Sequence, residues 1–141
     1  MPKFAFAALC AFVFMSTAAS AMPVGTWLSQ DGGTKIRIAD CGGKLCATVV
    51  WLDEPIDRAT GKPKTDKRNP DPGKRARPLL GLQVVQGMAP SGPNRWSGQV
   101  YNADDGRTYS AHLSMETDGK AKLKGCVLAV LCKNHTWTRV N

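Results

Sequence analysis

The sequence predicts an all-β fold: about eight short strands closed, or nearly closed, into one antiparallel barrel with a single long loop over residues 53–77. A two-sheet sandwich is the alternative. Three observations carry this. Turn signals recur through residues 22–141 while no long helical periodicity appears. The alternating stretches are joined by connections short enough for hairpins. Finally, Arg95–Leu113 sorts every apolar residue to one side in a single register.

In chain order, Lys3 is followed by an apolar run from Phe4 to Met15 and then by Ala19-Ser20-Ala21. A basic start, a short apolar stretch and a small-residue cleavage pattern make residues 1–21 a cleavable signal peptide. Cys10 does not fit a lipoprotein anchor, because Leu9 occupies a place that needs a small residue. The expected product is an exported protein of the periplasm or extracellular space, one domain over residues 22–141. No later apolar stretch approaches membrane-spanning length, so no transmembrane segment is expected after cleavage.

The first strand is Gly25–Ser29, ended by Asp31-Gly32-Gly33. Ile36 and Ile38 then alternate with Lys35 and Arg37. The run Leu45–Leu52 is apolar on both faces, and Leu82–Met88 forms a further strand. In the central hairpin Ala103-Asp104-Asp105-Gly106 is the turn, with glycine free to take positive φ. Pairing Tyr101 with Thr108 sets Trp96 opposite Leu113, Gly98 opposite Ala111 and Val100 opposite Tyr109. Ser97, Gln99, Ser110 and His112 then share the other face. The second arm continues to Met115, turns at Thr117-Asp118-Gly119 and returns as Ala121–Cys126, with Met115 facing Ala121, Leu113 facing Leu123 and Glu116 facing Lys120. His135–Val140 is the last strand.

Between the third and fourth strands, residues 53–77 carry four prolines. Eight Lys and Arg stand against Asp57, Asp66 and Asp71 over 57–77, much of the chain's net charge of +8. So long a connection is usually functional or disordered. A solvated loop is the plain reading, and a seat for an anionic partner is the sharper one. No aromatics are interleaved with the basic residues, so nucleic acid is not an expected partner. Asp66, Asn69, Asp71 and Arg77 are best able to fold back on the loop, and Asx turns before Pro70 and Pro72 account for Asn69 and Asp71 without a ligand.

Four cysteines follow the signal segment, an even number in an exported chain. Cys41 and Cys46 bracket Gly-Gly-Lys-Leu and are expected opposite one another on an outer face. Cys126 and Cys132 bracket a second short loop. Two structural disulfides, Cys41–Cys46 and Cys126–Cys132, are preferred over a zinc site, whose paired C-x-x-C spacing is missing. No metal or cofactor is expected.

Trp27, Trp51, Trp96, Trp137 and Tyr109 all fall on inferred inward positions. They are read first as filling a small barrel and second as lining a ligand pocket. No catalytic residue is assigned: G-x-S-x-G, H-E-x-x-H, P-loop and dinucleotide fingerprints are all missing. His112 falls on the outer face among Ser110 and Ser114, where a solvated or cross-strand role is preferred to catalysis, and His135 begins the last strand.

The ordered set of motifs supports a resemblance. Gly25-x-Trp27 is followed by Cys41-Gly-Gly-Lys-Leu-Cys46 leading to Trp51-Leu52, then by Asp66-x-x-Asn69-Pro-Asp-Pro and Arg77-Pro-Leu-Leu-Gly81. Trp96-x-Gly-x-Val-Tyr101-Asn-x-x-Asp-Gly106-x-x-Tyr109 and Trp137-Thr-Arg139-Val complete it. This resembles domain of unknown function 2147, a family of small exported bacterial proteins. Ala103 departs from it, standing where members often have proline. The resemblance implies a lipocalin-like β-barrel in the cell envelope and no established activity. Gly25-x-Trp27 with Arg139 is also similar to the calycin pattern, which implies an arginine packed across a tryptophan at the closed end.

Two functions from different classes follow. The first is non-enzymatic binding of a small molecule or anionic envelope component at the barrel mouth, with Asp66, Asn69, Arg77, Tyr101, Tyr109, Trp51 and Trp96 as candidate ligand contacts. Trp27, Trp137 and Arg139 would be structural, and the protein a monomer. The second is a structural or protein-interaction module with a solid core. An empty interior favours the first.

Overall fold

The computed structural model describes residues 11–14, 22–117, 119–128 and 130–141. The signal peptide expected over residues 1–21 thus lies outside the described residues, apart from 11–14. So does Asp118 in the expected third turn.

Eight antiparallel strands close into one barrel in sequence order. They are β1 (Gly25–Leu28), β2 (Thr34–Asp40), β3 (Leu45–Leu52), β4 (Gln83–Gly92), β5 (Arg95–Asn102), β6 (Arg107–Thr117), β7 (Lys120–Val127) and β8 (Leu131–Arg139). Closure comes from β1 pairing with β8, Trp27 opposite Arg139 and Leu28 opposite Thr138. It leaves no unpaired sheet edge, so the open sandwich is excluded. Strand direction sorts the connections into two ends. The β2–β3, β4–β5 and β6–β7 turns and both chain ends lie at one; the β1–β2, β3–β4, β5–β6 and β7–β8 connections lie at the other.

The β5–β6 register pairs Tyr101 with Thr108, Trp96 with Leu113 and Val100 with Tyr109. Gly106, at φ 71°, closes its turn. In β6–β7, Met115 faces Ala121 and Leu113 faces Leu123, while a shift after Met115 sets Thr117, rather than Glu116, opposite Lys120. The inward faces build a core of Trp27, Ile36, Ile38, Leu45, Ala47, Val49, Val85, Met88, Trp96, Ala111, Leu113 and Ala121.

Two further sequence expectations need correcting here. Trp51 is on the outer surface, where the Lys35 ammonium lies 4.7 Å from its ring centroid. The cause is a bulge: Ile36 pairs with Val49, but Lys35 pairs with Trp51. One extra residue reverses the in/out alternation. Cys41 and Cys46 are disulfide-bonded with Cα atoms 5.9 Å apart, but are not directly opposite. Cys46 faces Ala39 and the bridge runs diagonally, because Asp40 pairs with Leu45 and the turn closes through Cys41 N–H to Lys44 O. Cys126 and Cys132 are bonded and do face each other.

At the closed end, the Arg139 guanidinium lies over the Trp27 ring, 4.5 Å from its centroid. Its two terminal nitrogens donate to Val24 O and Met22 O, each at 2.6 Å, and Trp27 Nε1 donates to Pro23 O at 2.7 Å. One cation thus holds the incoming chain across the barrel base. Gly25 makes this approach possible: a Cβ there would stand 2.6 Å from Asn141 O and 2.7 Å from Arg139 Nη1.

Candidate functional site

The long connection is folded against the barrel. Asp66 is fully buried and acts as its hub. Oδ1 accepts from Tyr101 OH at 2.6 Å; Oδ2 accepts from Asn69 Nδ2 at 2.8 Å and from Arg77 Nε at 2.9 Å. Asp66 N–H donates to Arg77 O, and Thr65 bridges Pro78, so the two limbs of the loop are zipped together. The expected Asx turns are present: Asn69 Oδ1 accepts from Asp71 N–H, and Asp71 Oδ1 accepts from Gly73 N–H. Tyr101 is on β5, so this cluster ties the loop to the wall. Arg77 also sits 5.8 Å from the Tyr101 ring centroid.

The electrostatics follow from this packing. Burial pushes the Asp66 carboxyl up, but donation from Tyr101, Asn69 and Arg77 outweighs it, leaving Asp66 below its ordinary value. Burial, and then the carboxylate it donates to, push the Tyr101 phenol up to about 12. On the other side of the turn, Tyr109 OH donates to Asp105, and that bond raises the Tyr109 pKa first, with burial adding. Asp31, which accepts from Ser29 Oγ and Gly33 N–H, is lowered by those bonds.

Inside the barrel at this end is a cavity of about 510 Å³. Ile36, Val49, Leu82, Val85, Val100, Ala111 and Leu123 form its apolar wall. Gln30, Asp31, Asn102, Asp104, Lys133 and His135 bring polar groups from the surrounding connections and strand ends. Leu79 of the long connection also lines it. Trp137 lines this cavity and a second void of about 30 Å³ toward the closed end. Its indole N–H is buried with no acceptor. The interior is therefore not solid. Trp27 and Trp96 fill the closed half, whereas the open half is lined mainly by shorter aliphatic residues that cannot meet across it, with Tyr101, Tyr109 and Trp137 also on its wall.

The structure thus divides the candidate contacts. Tyr101 and Tyr109 line the cavity, while Asp66, Asn69 and Arg77 join through Tyr101 into the fastening of the loop. Trp96 is in the core away from the cavity, and Trp51 is outside. Trp137, expected to be structural, brings the unpartnered donor. Its inward place was visible in the alternation of the last strand, but its missing acceptor depends on the whole interior. Among the described residues no cluster of His, Cys, Asp and Glu could hold a metal ion. None of the described helices is long and apolar enough to cross a membrane.

Comparison with known proteins agrees with this architecture. A search of curated proteins found no match. Among solved structures, the chain is similar to protein HP1028 from Helicobacter pylori, described as belonging to the lipocalin family. The TM-score is 0.69 at 23% identity, covering 84% of this chain and 82% of that one; the likeness shows the shared fold. Residues 25–139 match the family described as "Uncharacterized protein conserved in bacteria (DUF2147)". With the eight-stranded closed barrel and a match spanning all of its strands, the chain belongs to the DUF2147 family.

Proposed function

We propose that this chain is an exported binding protein whose barrel takes up a small, mainly apolar molecule carrying one hydrogen-bond acceptor. The observation that carries the reading is the 510 Å³ cavity with the buried, unpartnered Trp137 N–H on its lining. That volume is within the roughly 300–1,000 Å³ of small-molecule sites. An apolar wall rewards burial of a hydrocarbon body, and a buried donor without an acceptor costs free energy that a ligand carbonyl or ether would recover. The side chains named for the apolar wall carry no charge, so a neutral acceptor fits better there than a carboxylate. Asp66, Asn69 and Arg77 act by holding the loop and Tyr101 at the mouth, and Tyr101 and Tyr109 flank the entering molecule. The two disulfides and the fold are compatible with work outside the cytoplasm.

The test is displacement of an uncharged, apolar fluorescent dye, N-phenyl-1-naphthylamine, by a medium-chain methyl ketone. Ala111 lines the cavity and is buried, so Ala111→Phe would fill space there without touching the outer surface. Saturable dye binding, displaced by the ketone and weakened about tenfold or more by Ala111→Phe in a folded protein, supports the reading. Dye binding unaffected by Ala111→Phe would place the dye elsewhere and refute it.

A further inference from the structure

We propose that the β7–β8 corner of the open end is a docking face for an anionic lipid surface, with the hairpin tip entering the acyl boundary and a lysine row lying on the headgroups. This goes beyond ligand binding in the cavity and does not depend on it.

The tip is apolar without being packed. Leu128, Val130 and Leu131 are 82%, 80% and 64% exposed. A folding role would bury such side chains; here they are presented to solvent on a hairpin whose base is tied by Cys126–Cys132.

An independent feature says what covers them. On β7, Lys120, Lys122 and Lys124 alternate with the inward Ala121 and Leu123, so all three project from the outer face, about 7 Å apart along the strand. Their cross-strand neighbours are Thr117, Ser114 and His112 on β6, and Thr138, Thr136 and Asn134 on β8; none is acidic. No described carboxylate lies within ion-pair distance of these lysines. Lys133, opposite Gly125, belongs to the inward face and lines the cavity mouth, so the row consists of the three β7 lysines. Such a row is complementary to anionic headgroups, while the apolar tip at its end is complementary to the region beneath them. A protein partner would have to supply acidic groups along the row and an apolar socket beyond it; an anionic bilayer provides both when β7 lies obliquely on it, the row on the headgroups and the tip dipping beneath them. The carboxylates of Asp31, Asp104 and Asp105 are on the neighbouring β1–β2 and β5–β6 connections, so the barrel would tilt onto the β7–β8 corner and keep them off the surface. The cavity mouth, opening at the same end, would then stand beside the membrane.

The experiment is co-sedimentation of the disulfide-bonded chain, residues 22–141, with vesicles of phosphatidylcholine alone or mixed with phosphatidylglycerol. Binding is expected to the mixed vesicles, weakened by salt, and not to the neutral ones. Leu128→Ser/Val130→Ser/Leu131→Ser and Lys120→Gln/Lys122→Gln/Lys124→Gln should each weaken it about tenfold or more. Neutralising Lys67, Arg68, Lys74 and Arg75 in the long connection should change it less than either. If the tip triple variant does not fold, Val130→Trp keeps the question open to measurement: its fluorescence should be quenched by brominated acyl chains in mixed vesicles. No binding to mixed vesicles would overturn the proposal. So would undiminished binding of the folded tip variant, dominance of the long connection, or no quenching at position 130. A wild-type dimer in sedimentation velocity that the tip substitutions abolish would assign the patch to a second copy instead, and also overturn it.

Discussion

At the scale of single residues, two side chains carry disproportionate structural duty. Arg139 stacks on Trp27 and donates to two backbone carbonyls near the chain's entry into the barrel. Arg139→Ala removes the stacking and strands both acceptors, and should destabilise the fold by about 1–3 kcal/mol in chemical denaturation. Arg139→Lys should restore only part, because an ammonium cannot lie flat on indole while bonding two carbonyls. Asp66 and Tyr101 set the pH range of the loop fastening. The Asp66 pKa is lowered by folding, so its contribution is present above the unfolded value of about 3.9 and lost as pH falls through the folded value. Tyr101 is raised to about 12, so the neutral phenol is favoured in the fold. That contribution is present below the unfolded value of about 10 and lost as pH climbs toward 12. Melting temperature should therefore fall on both the acid and alkaline sides, and Tyr101→Phe should reduce the alkaline fall.

At the scale of elements, the long connection is tied down at both its own limbs and the neighbouring turn. Gly106, on the β5–β6 turn, sits against the Arg68 backbone: a Cβ there would stand 1.9 Å from Arg68 O, and φ is already 71°. Gly106→Ala should push the connection away from the turn. Hydrogen exchange at residues 65–78 should then accelerate, while the amides of β6 and β7 exchange as before; unchanged protection in the connection would show that this contact does not hold it. The connection is also where sequence reading reached its limit. Asp66, Asn69 and Arg77 could be picked out as polar groups able to fold back, and the Asx turns followed from Asn-Pro and Asp-Pro. That Tyr101, 35 residues from Asp66, would complete the cluster is a tertiary fact with no local signal. The β5–β6 register, in contrast, was legible throughout, since only one pairing buries all its apolar residues. Trp51 was misplaced because a bulge inserts one residue without changing composition, and alternation alone cannot detect it.

At the scale of the whole molecule, closure and cavity have different legibility. Closure followed from strand count, hairpin connections and the Trp27–Arg139 pattern. The cavity is a difference between enclosed volume and the side chains that fill it, summed over strands throughout the barrel, and no short stretch encodes it. It is also the feature on which the proposed binding role rests. Trp137 makes it directly observable, because the four tryptophans occupy four distinct settings. Trp27 N–H is already bonded to Pro23 O, Trp96 is in the core, and Trp51 is on the outer surface. The most direct measurement is therefore proton–nitrogen NMR of the indole groups during titration with a medium-chain methyl ketone. The expected result is a saturable downfield shift of the Trp137 indole proton as it gains an acceptor, with Trp27 and Trp51 essentially still. A Trp137 signal that does not move, or one that moves no more than that of Trp51, would contradict it.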